Sequence, residues 1–212
     1  MGLLDTFRRL TKEEIFDWIY KSIDKYGLSL VSKNGYDFYN CESSKGLGEY
    51  NKAGYNKLRG DFNKKASKDN EYYLMLYLLI VYSFNNQLRF NRKGEFNLPV
   101  GKRDFNSKMQ GKLEAFIDRV KSGDYRFTTD DFRNVSMEGY TDKSFFYADP
   151  PYLITCATYN EQAGWTENDE KDLLNYLEEL DKKGIRFALS NVLESKGKKN
   201  AILSEWINQN KK

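Results

Sequence analysis

Phe145-Phe146-Tyr147-Ala148-Asp149-Pro150-Pro151-Tyr152 reads as a short buried strand that stops at two prolines. Proline fixes φ and has no N–H to give to a ladder, so the strand must end there. A carboxylate, Asp149, stands at its end, and the ring of Tyr152 follows. In α/β sheets ligands sit in the crevice beyond the carboxyl ends of the strands, which makes this tip the place to look for chemistry.

On the C-terminal side, Thr166-Glu167-Asn168-Asp169 has the form of a capping box with Asp in place of Glu or Gln. Leu173, Leu174, Leu177 and Leu180 then fall on one helical face, and Gly184 marks the end. Ile185 to Leu189 is a second strand candidate, and Tyr125 to Thr128 a third. Strand, helix and strand at this spacing predict a right-handed βαβ unit in a parallel sheet. Residues 107–212 therefore read as an α/β region, opened by a helix over Ser107 to Val120 with Met109, Leu113, Phe116, Ile117 and Val120 as its stripe.

Residues 1–106 read as mainly helical. Thr11-Lys12-Glu13-Glu14 is a capping box, Ile15, Phe16, Ile19 and Ile23 share a face, and Gly27 stops the helix. Residues 28–48 read as loop with one short strand near Tyr36 to Tyr39, and Tyr50 to Lys65 as helix. The apolar run from Tyr72 to Tyr82 predicts a buried core helix, since it falls far short of the ~20 residues a bilayer span needs. About residues 83–106 the chain turns polar, basic and aromatic, with Gly94, Pro99 and Gly101 as breakers, and predicts a loop or hairpin.

Composition excludes several chemistries. The 212 residues contain no histidine, which removes Ser-His-Asp and Cys-His catalysis, HExxH metalloproteases and His-based deaminases. Cys41 and Cys156 form neither a zinc spacing nor a disulfide framework, so no metal site is expected and a reducing, cytoplasmic setting is. No secretory signal or spanning segment is visible. Met1-Gly2-Leu3-Leu4-Asp5-Thr6 fits the short myristoylation pattern, but nothing else points to a membrane. The net charge of +3 permits nucleic-acid binding without arguing for it.

A strand ending in Asp-Pro-Pro-Tyr has a plain reading, in which Asp caps a turn and Tyr fills space. It also suits one task. The exocyclic amine of a nucleobase is a poor nucleophile because its lone pair is conjugated into the ring. Asp149 accepting one N–H and the carbonyl of Pro150 accepting the other would favour the geometry that makes that pair available. They would also stabilise positive charge developing on nitrogen. Tyr152 would stack on the base, a contact of ~1–3 kcal/mol.

Asp149-Pro150-Pro151-Tyr152 resembles the D-P-P-Y motif of amino-group DNA methyltransferases that use S-adenosylmethionine, and the context narrows the resemblance to the Dam-like adenine-N6 family. Arg89-Phe90-Asn91-Arg92-Lys93-Gly94-Glu95-Phe96-Asn97-Leu98-Pro99-Val100-Gly101 matches that family's R-x-N-x-x-G-x-F-N-x-P-x-G signature at every fixed position. Asp130-Asp131-Phe132 is similar, more weakly, to its acidic D-F segment, and Ser190-Asn191 to the S-N that ends its next strand. The resemblance covers roughly Tyr50 to Asn191. It implies a partial Rossmann-like methyltransferase sheet with a mainly helical DNA-recognition region. Catalytic residues would be Asp149, Pro150 and Tyr152, with Asp149 and Asp131 toward the cofactor.

From Phe84 to Arg103 the cations Arg89, Arg92, Lys93, Lys102 and Arg103 stand against Glu95 alone, a net of +4. Phe84, Phe90, Phe96 and Phe105 interleave them as expected anchors, and Asn85, Asn86, Gln87 and Asn91 offer amides. Arginine pairs bidentately with guanine and Asn or Gln with adenine, while Lys102 and Arg103 suit phosphates. By resemblance this segment is the recognition hairpin on double-stranded DNA. Arg89 would read a guanine, Pro99 would face bases and Phe84 would wedge into the duplex beside Asn85, within a GATC target. Gln87 and Leu88 depart from the commonest family pattern.

The family's F-x-G-x-G cofactor turn and the acidic residue after its second strand have no match in this sequence. Gly46-Leu47-Gly48 lacks both a preceding strand and the rest of the pattern. The family region before Leu10 and the strand pair expected after Asn210 are likewise unmatched, so the chain resembles the middle of such an enzyme, shortened at both ends. Three readings stay open: an adenine methyltransferase, a DNA-binding module without catalysis, and one part of a split enzyme completed by a second chain.

Overall fold

The computed structural model describes residues 2–42, 44–155 and 164–210, so Cys156 lies outside the described residues. The chain falls into two compact units, Met1–Thr128 and Thr129–Lys212.

The first unit is helical: α1 (Gly2–Arg9), α2 (Lys12–Tyr26), α3 (Val31–Asn34), α4 (Gly48–Lys64), α5 (Asn70–Tyr82) and α6 (Ser107–Ser122). Helices α2, α5 and α6 each start where a side chain caps them, while α4 starts after Leu47 with no side-chain cap. Thr11 and Glu14 make the reciprocal capping box of α2, Asp69 accepts from Tyr72 N at α5, and Asn106 from Met109 N at α6. Gly27 closes α2 at φ 63°, where a Cβ would be strained. Because α5 is apolar all round it sits at the centre, with Leu74, Met75, Leu78, Leu79, Val81 and Tyr82 buried. Ile15, Ile19 and Ile23 of α2, Leu58 and Phe62 of α4, and Leu113 and Ile117 of α6 complete the core.

Several expectations need correction here. Asp37–Tyr39 is a 3₁₀ turn, not a strand, because the Tyr39 hydroxyl is drawn inward to accept from Leu30 N and Asn34 Nδ2. Tyr125 to Thr128 form no strand; Tyr125 and Phe127 stack on each other and Arg8 lies over the Phe127 ring. Phe116 of the α6 stripe is exposed. Helix α1, with Thr6 and Phe7 buried, packs closely on α5, Gly2 lying where a Cβ would strike the Tyr73 ring.

The second unit is a small α/β layer: β1 (Phe145–Ala148), α7 (Glu167–Lys182), β2 (Arg186–Leu189), a two-residue hairpin of β3 (Glu194–Ser195) and β4 (Lys198–Lys199), and α8 (Ala201–Gln209). β1 and β2 are parallel, with Phe145 opposite Arg186 and Ala148 opposite Leu189. Phe146 and Ala148 face a core of Leu173, Leu174, Leu177, Leu180, Ile185 and Leu203. The other face is open, so β1 is buried on one side only: Phe145 is 64% and Tyr147 62% exposed. Among the described residues the sheet has two strands, and no helix is long and apolar enough to cross a membrane.

Candidate functional site

The basic segment after α5 folds back on itself as a short hairpin in the first unit. Bridges pair Ser83 with Val100 and Phe90 with Phe96, and Phe84 N donates to Pro99 O at 2.9 Å. Gly101 donates to Tyr82 O at 2.7 Å. A Cβ there would meet the Ser83 carbonyl oxygen at 2.3 Å, so this glycine lets the two backbones close the base of the hairpin. Asn91 makes the tip: its Oδ1 accepts from Lys93 N and Glu95 N, and its Nδ2 donates to Glu95. Its amide therefore builds the turn that carries Arg92 and Lys93.

Helix α4 supports the returning strand with a polar row that sequence reasoning missed. Asn51, Tyr55, Arg59 and Asn63 recur every four residues and so lie on one face. Tyr55 Oη and Arg59 Nη1 both donate to Leu98 O, at 3.1 and 2.9 Å. The Asn63 amide takes both groups of Phe96, accepting from its N–H at 2.8 Å and donating to its carbonyl at 3.1 Å. Asn51 holds Ser29 N and Oγ. A period of four in polar residues was the available signal. Burial pushes the Tyr55 phenol well above its ordinary pKa, so it stays a donor.

Of the four interleaved aromatics, Phe96 and Phe105 are buried anchors, while Phe84 and Phe90 are exposed. Asn85, Arg92, Lys93, Pro99, Lys102 and Arg103 are exposed, and Arg89 is half-buried. Asp104, next to Arg103, is buried and accepts from Val31 N at 2.6 Å and Ser29 Oγ at 3.5 Å. Its desolvation raises its pKa. Gly46-Leu47-Gly48 also belongs to this base: Leu47 N donates to Lys102 O at 2.9 Å, and a Cβ on Gly46 would overlap Lys102.

In the second unit, Ser190 N donates to Ala148 O at 2.9 Å and carries the β1–β2 ladder to the last residue before Asp149. Tyr152 is held from two sides. Its hydroxyl donates to Asp149 Oδ1 at 3.2 Å and lies 3.0 Å from Ser190 Oγ. Asp149 is exposed, and Pro150 and Tyr152 are partly so. Asp149, Tyr152 and Ser190 are thus one hydrogen-bonded cluster beyond the carboxyl ends of two parallel strands.

Asp131 has a different setting. It caps a 3₁₀ turn at Phe132–Asn134, accepting from Arg133 N, and pairs with the Arg133 guanidinium at 3.1 Å. Arg133 also pairs with Asp169 at 2.6 Å and Asp172 at 2.7 Å. The backbone bond from Arg133, helped by its guanidinium, lowers the Asp131 pKa. Among the described residues no group of three or more acidic or cysteine side chains could hold a metal.

The strand-end Asp-Pro-Pro-Tyr cluster lies in the second unit and the basic hairpin braced by α4 in the first. The chain belongs to the D12 class N6 adenine-specific DNA methyltransferase family, whose profile matches residues 6–212. It is 39% identical over 160 residues to "Modification methylase LlaI" of Lactococcus lactis subsp. lactis, covering 74% of this chain and 25% of that protein. It is 34% identical over 210 residues to "Type II methyltransferase M.FokI" of Planomicrobium okeanokoites, covering 96% and 29%. Against the "DNA adenine methylase" of Escherichia coli K12 it is 30% identical over 126 residues, covering 59% and 44%. The chain thus spans between a quarter and a half of these relatives.

Proposed function

We propose that this chain carries the amine-holding tip and the DNA-reading hairpin of an adenine-N6 methyltransferase acting on double-stranded DNA inside the cell, with S-adenosylmethionine as methyl donor. The observation that carries this reading is the Asp149–Tyr152–Ser190 cluster at the end of β1. A target adenine turned out of the duplex would place its amine against Asp149 and the Pro150 carbonyl, two acceptors that favour positive charge on nitrogen. Tyr152, oriented through its hydroxyl, would stack on the base.

On the hairpin, Arg89 would read guanine. Phe84 and Asn85 would enter the duplex, Pro99 would face bases, and Arg92, Lys93, Lys102 and Arg103 would meet phosphates. Asn91 serves this surface by shaping its tip. The target favoured by the resemblance is GATC, in a restriction-modification setting like that in which the modification methylases are named.

The described residues do not by themselves fit S-adenosylmethionine. They supply two parallel strands and no glycine-rich turn beside them, and the Asp131 carboxylate is engaged by Arg133. We infer that donor binding needs residues beyond this sequence, from a second chain or further segments. The same observation favours a second reading, a site-specific DNA-binding module.

Calorimetry with S-adenosylmethionine and this chain should give weak binding or none, and low-micromolar affinity would overturn that part of the proposal. A gel shift that prefers GATC duplexes, survives Asp149→Ala and is lost in Arg89→Ala is expected. Once the missing donor-binding residues are supplied, methyl transfer with labelled donor should disappear in Asp149→Ala. Transfer that persists in that variant removes the catalytic assignment.

A further inference from the structure

Glu170 lies in the first turn of α7, where a solvated carboxylate would be ordinary. It is instead 1% exposed, and its oxygens accept three side-chain N–H groups from three separate segments. Trp165 Nε1 donates to Oε2 at 2.6 Å. Asn191 Nδ2 donates to Oε1 at 3.0 Å, and Asn200 Nδ2 to the same oxygen at 2.8 Å. Each donor has a place relative to the tip. Trp165, just before the capping Thr166 of α7, packs its ring near Phe132. Asn191 is the neighbour of Ser190, whose hydroxyl meets Tyr152. Asn200 caps α8 through Leu203 N and ties back to Leu193 O through its own N–H.

We propose that Glu170 is a positioning residue for the amine-holding tip: it clasps Trp165 and Asn191, and through Asn191 and Ser190 it fixes where Tyr152 and Asp149 stand. This rests on the assignment of the tip to adenine binding, but the clasp itself is a statement about the free protein. A buried carboxylate satisfied only to hold α7 in place would need partners from its own neighbourhood. Trp165 lies just before α7, whereas Asn191 and Asn200 come from segments that follow β2. Buried polar groups of this kind act as a unit, because the loss of one partner leaves the others without theirs.

The glutamine variant tests the clasp with little change of shape. Its oxygen can still accept from Asn191 and Asn200, but its NH₂ must face the Trp165 N–H, donor against donor. Fluorotyrosine placed at Tyr152 in the full chain gives a ¹⁹F signal that reports the tip without DNA or cofactor. In Glu170→Gln this signal should shift and broaden, and adding Trp165→Phe, which removes the opposing donor, should restore it. A Tyr152 signal identical to wild type in a folded Glu170→Gln protein overturns the proposal, as does a shift that Trp165→Phe leaves uncorrected. A second measurement keeps the two assignments apart. With 2-aminopurine at the target adenine of a GATC duplex, wild type should raise the emission on binding. Glu170→Gln should lower that rise by about tenfold or more while the gel shift stays. If wild type gives no rise, the adenine assignment fails and the ¹⁹F result still decides the clasp.

Discussion

Arg89 and Asn97 hold each other across the hairpin: Arg89 Nε donates to Asn97 Oδ1 at 2.7 Å, and Nη2 donates to the Asn97 carbonyl at 3.1 Å. The guanidinium proposed to read guanine is thus aimed before DNA arrives. Asn97→Ala keeps the charge and loses half of the grip. It should weaken discrimination between GATC and a duplex with the guanine replaced by roughly tenfold, within the ~1–3 kcal/mol a bidentate pair supplies. Binding to unrelated DNA should change little, because charge sets that contact. Gel shifts at fixed salt check both.

Tyr152→Phe separates stacking from anchoring. The ring remains while the bonds to Asp149 and Ser190 go. Base capture, read as 2-aminopurine emission, should fall by severalfold, in line with the ~0.5–1.5 kcal/mol of one such bond. Tyr152→Ala should lose more, since stacking adds ~1–3 kcal/mol. Equal losses in the two variants would show that the hydroxyl carries the whole effect.

The polar row on α4 predicts damage to the hairpin from a distance. Asn63→Leu leaves the Phe96 N–H and carbonyl without their partners, and a buried group left so costs about 1–3 kcal/mol. Thermal unfolding should show the loss, and amide exchange should localise it to residues near Phe96. Arg59→Ala should be milder, because Tyr55 still donates to Leu98 O.

Two carboxylates give opposite pH dependences. Asp169 is held down to a pKa of about 2 by the Thr166 hydroxyl and by Arg133. The unfolded chain binds more protons there, so this contribution is complete above the ordinary value near 3.8 and is lost as pH falls toward 2. Asp104 is raised by burial. Its contribution is fullest below the ordinary carboxylate value and declines as pH rises through its folded pKa. Denaturant unfolding against pH should therefore lose part of its acid limb in Asp169→Asn. In Asp104→Asn the decline above pH ~4 should be reduced.

Capping chemistry and long periods were legible in the sequence. Thr11, Gly27, Thr166 and the leucine row of α7 mark their helices as found, because those signals act within a few residues. The parallel pairing of β1 and β2 followed from the order of elements. What escaped depends on contacts far along the chain. The Tyr39 hydroxyl sits in a turn that its residue types would let be a strand. Lys196-Gly197, both at positive φ, makes the tight hairpin of β3 and β4 and was the kind of turn signal that a Gly in a basic run conceals. At the site, D-P-P-Y announced the tip, but Glu170 looks in sequence like any acidic residue of a helix's first turn.

Asn85 and Asn86 both adopt left-handed φ, at 54° and 53°. Asn86 also donates to the carbonyls of Ile80 and Val81 at the end of α5. Few residues besides Asn, Asp and Gly take that backbone cheaply, so both positions are tied to the shape of the chain. Gln87 and Leu88, exposed beside them, carry no such duty. Lineages that drift toward new target sequences should therefore vary at 87 and 88 and keep 85 and 86, so the freedom to evolve specificity starts just past the corner.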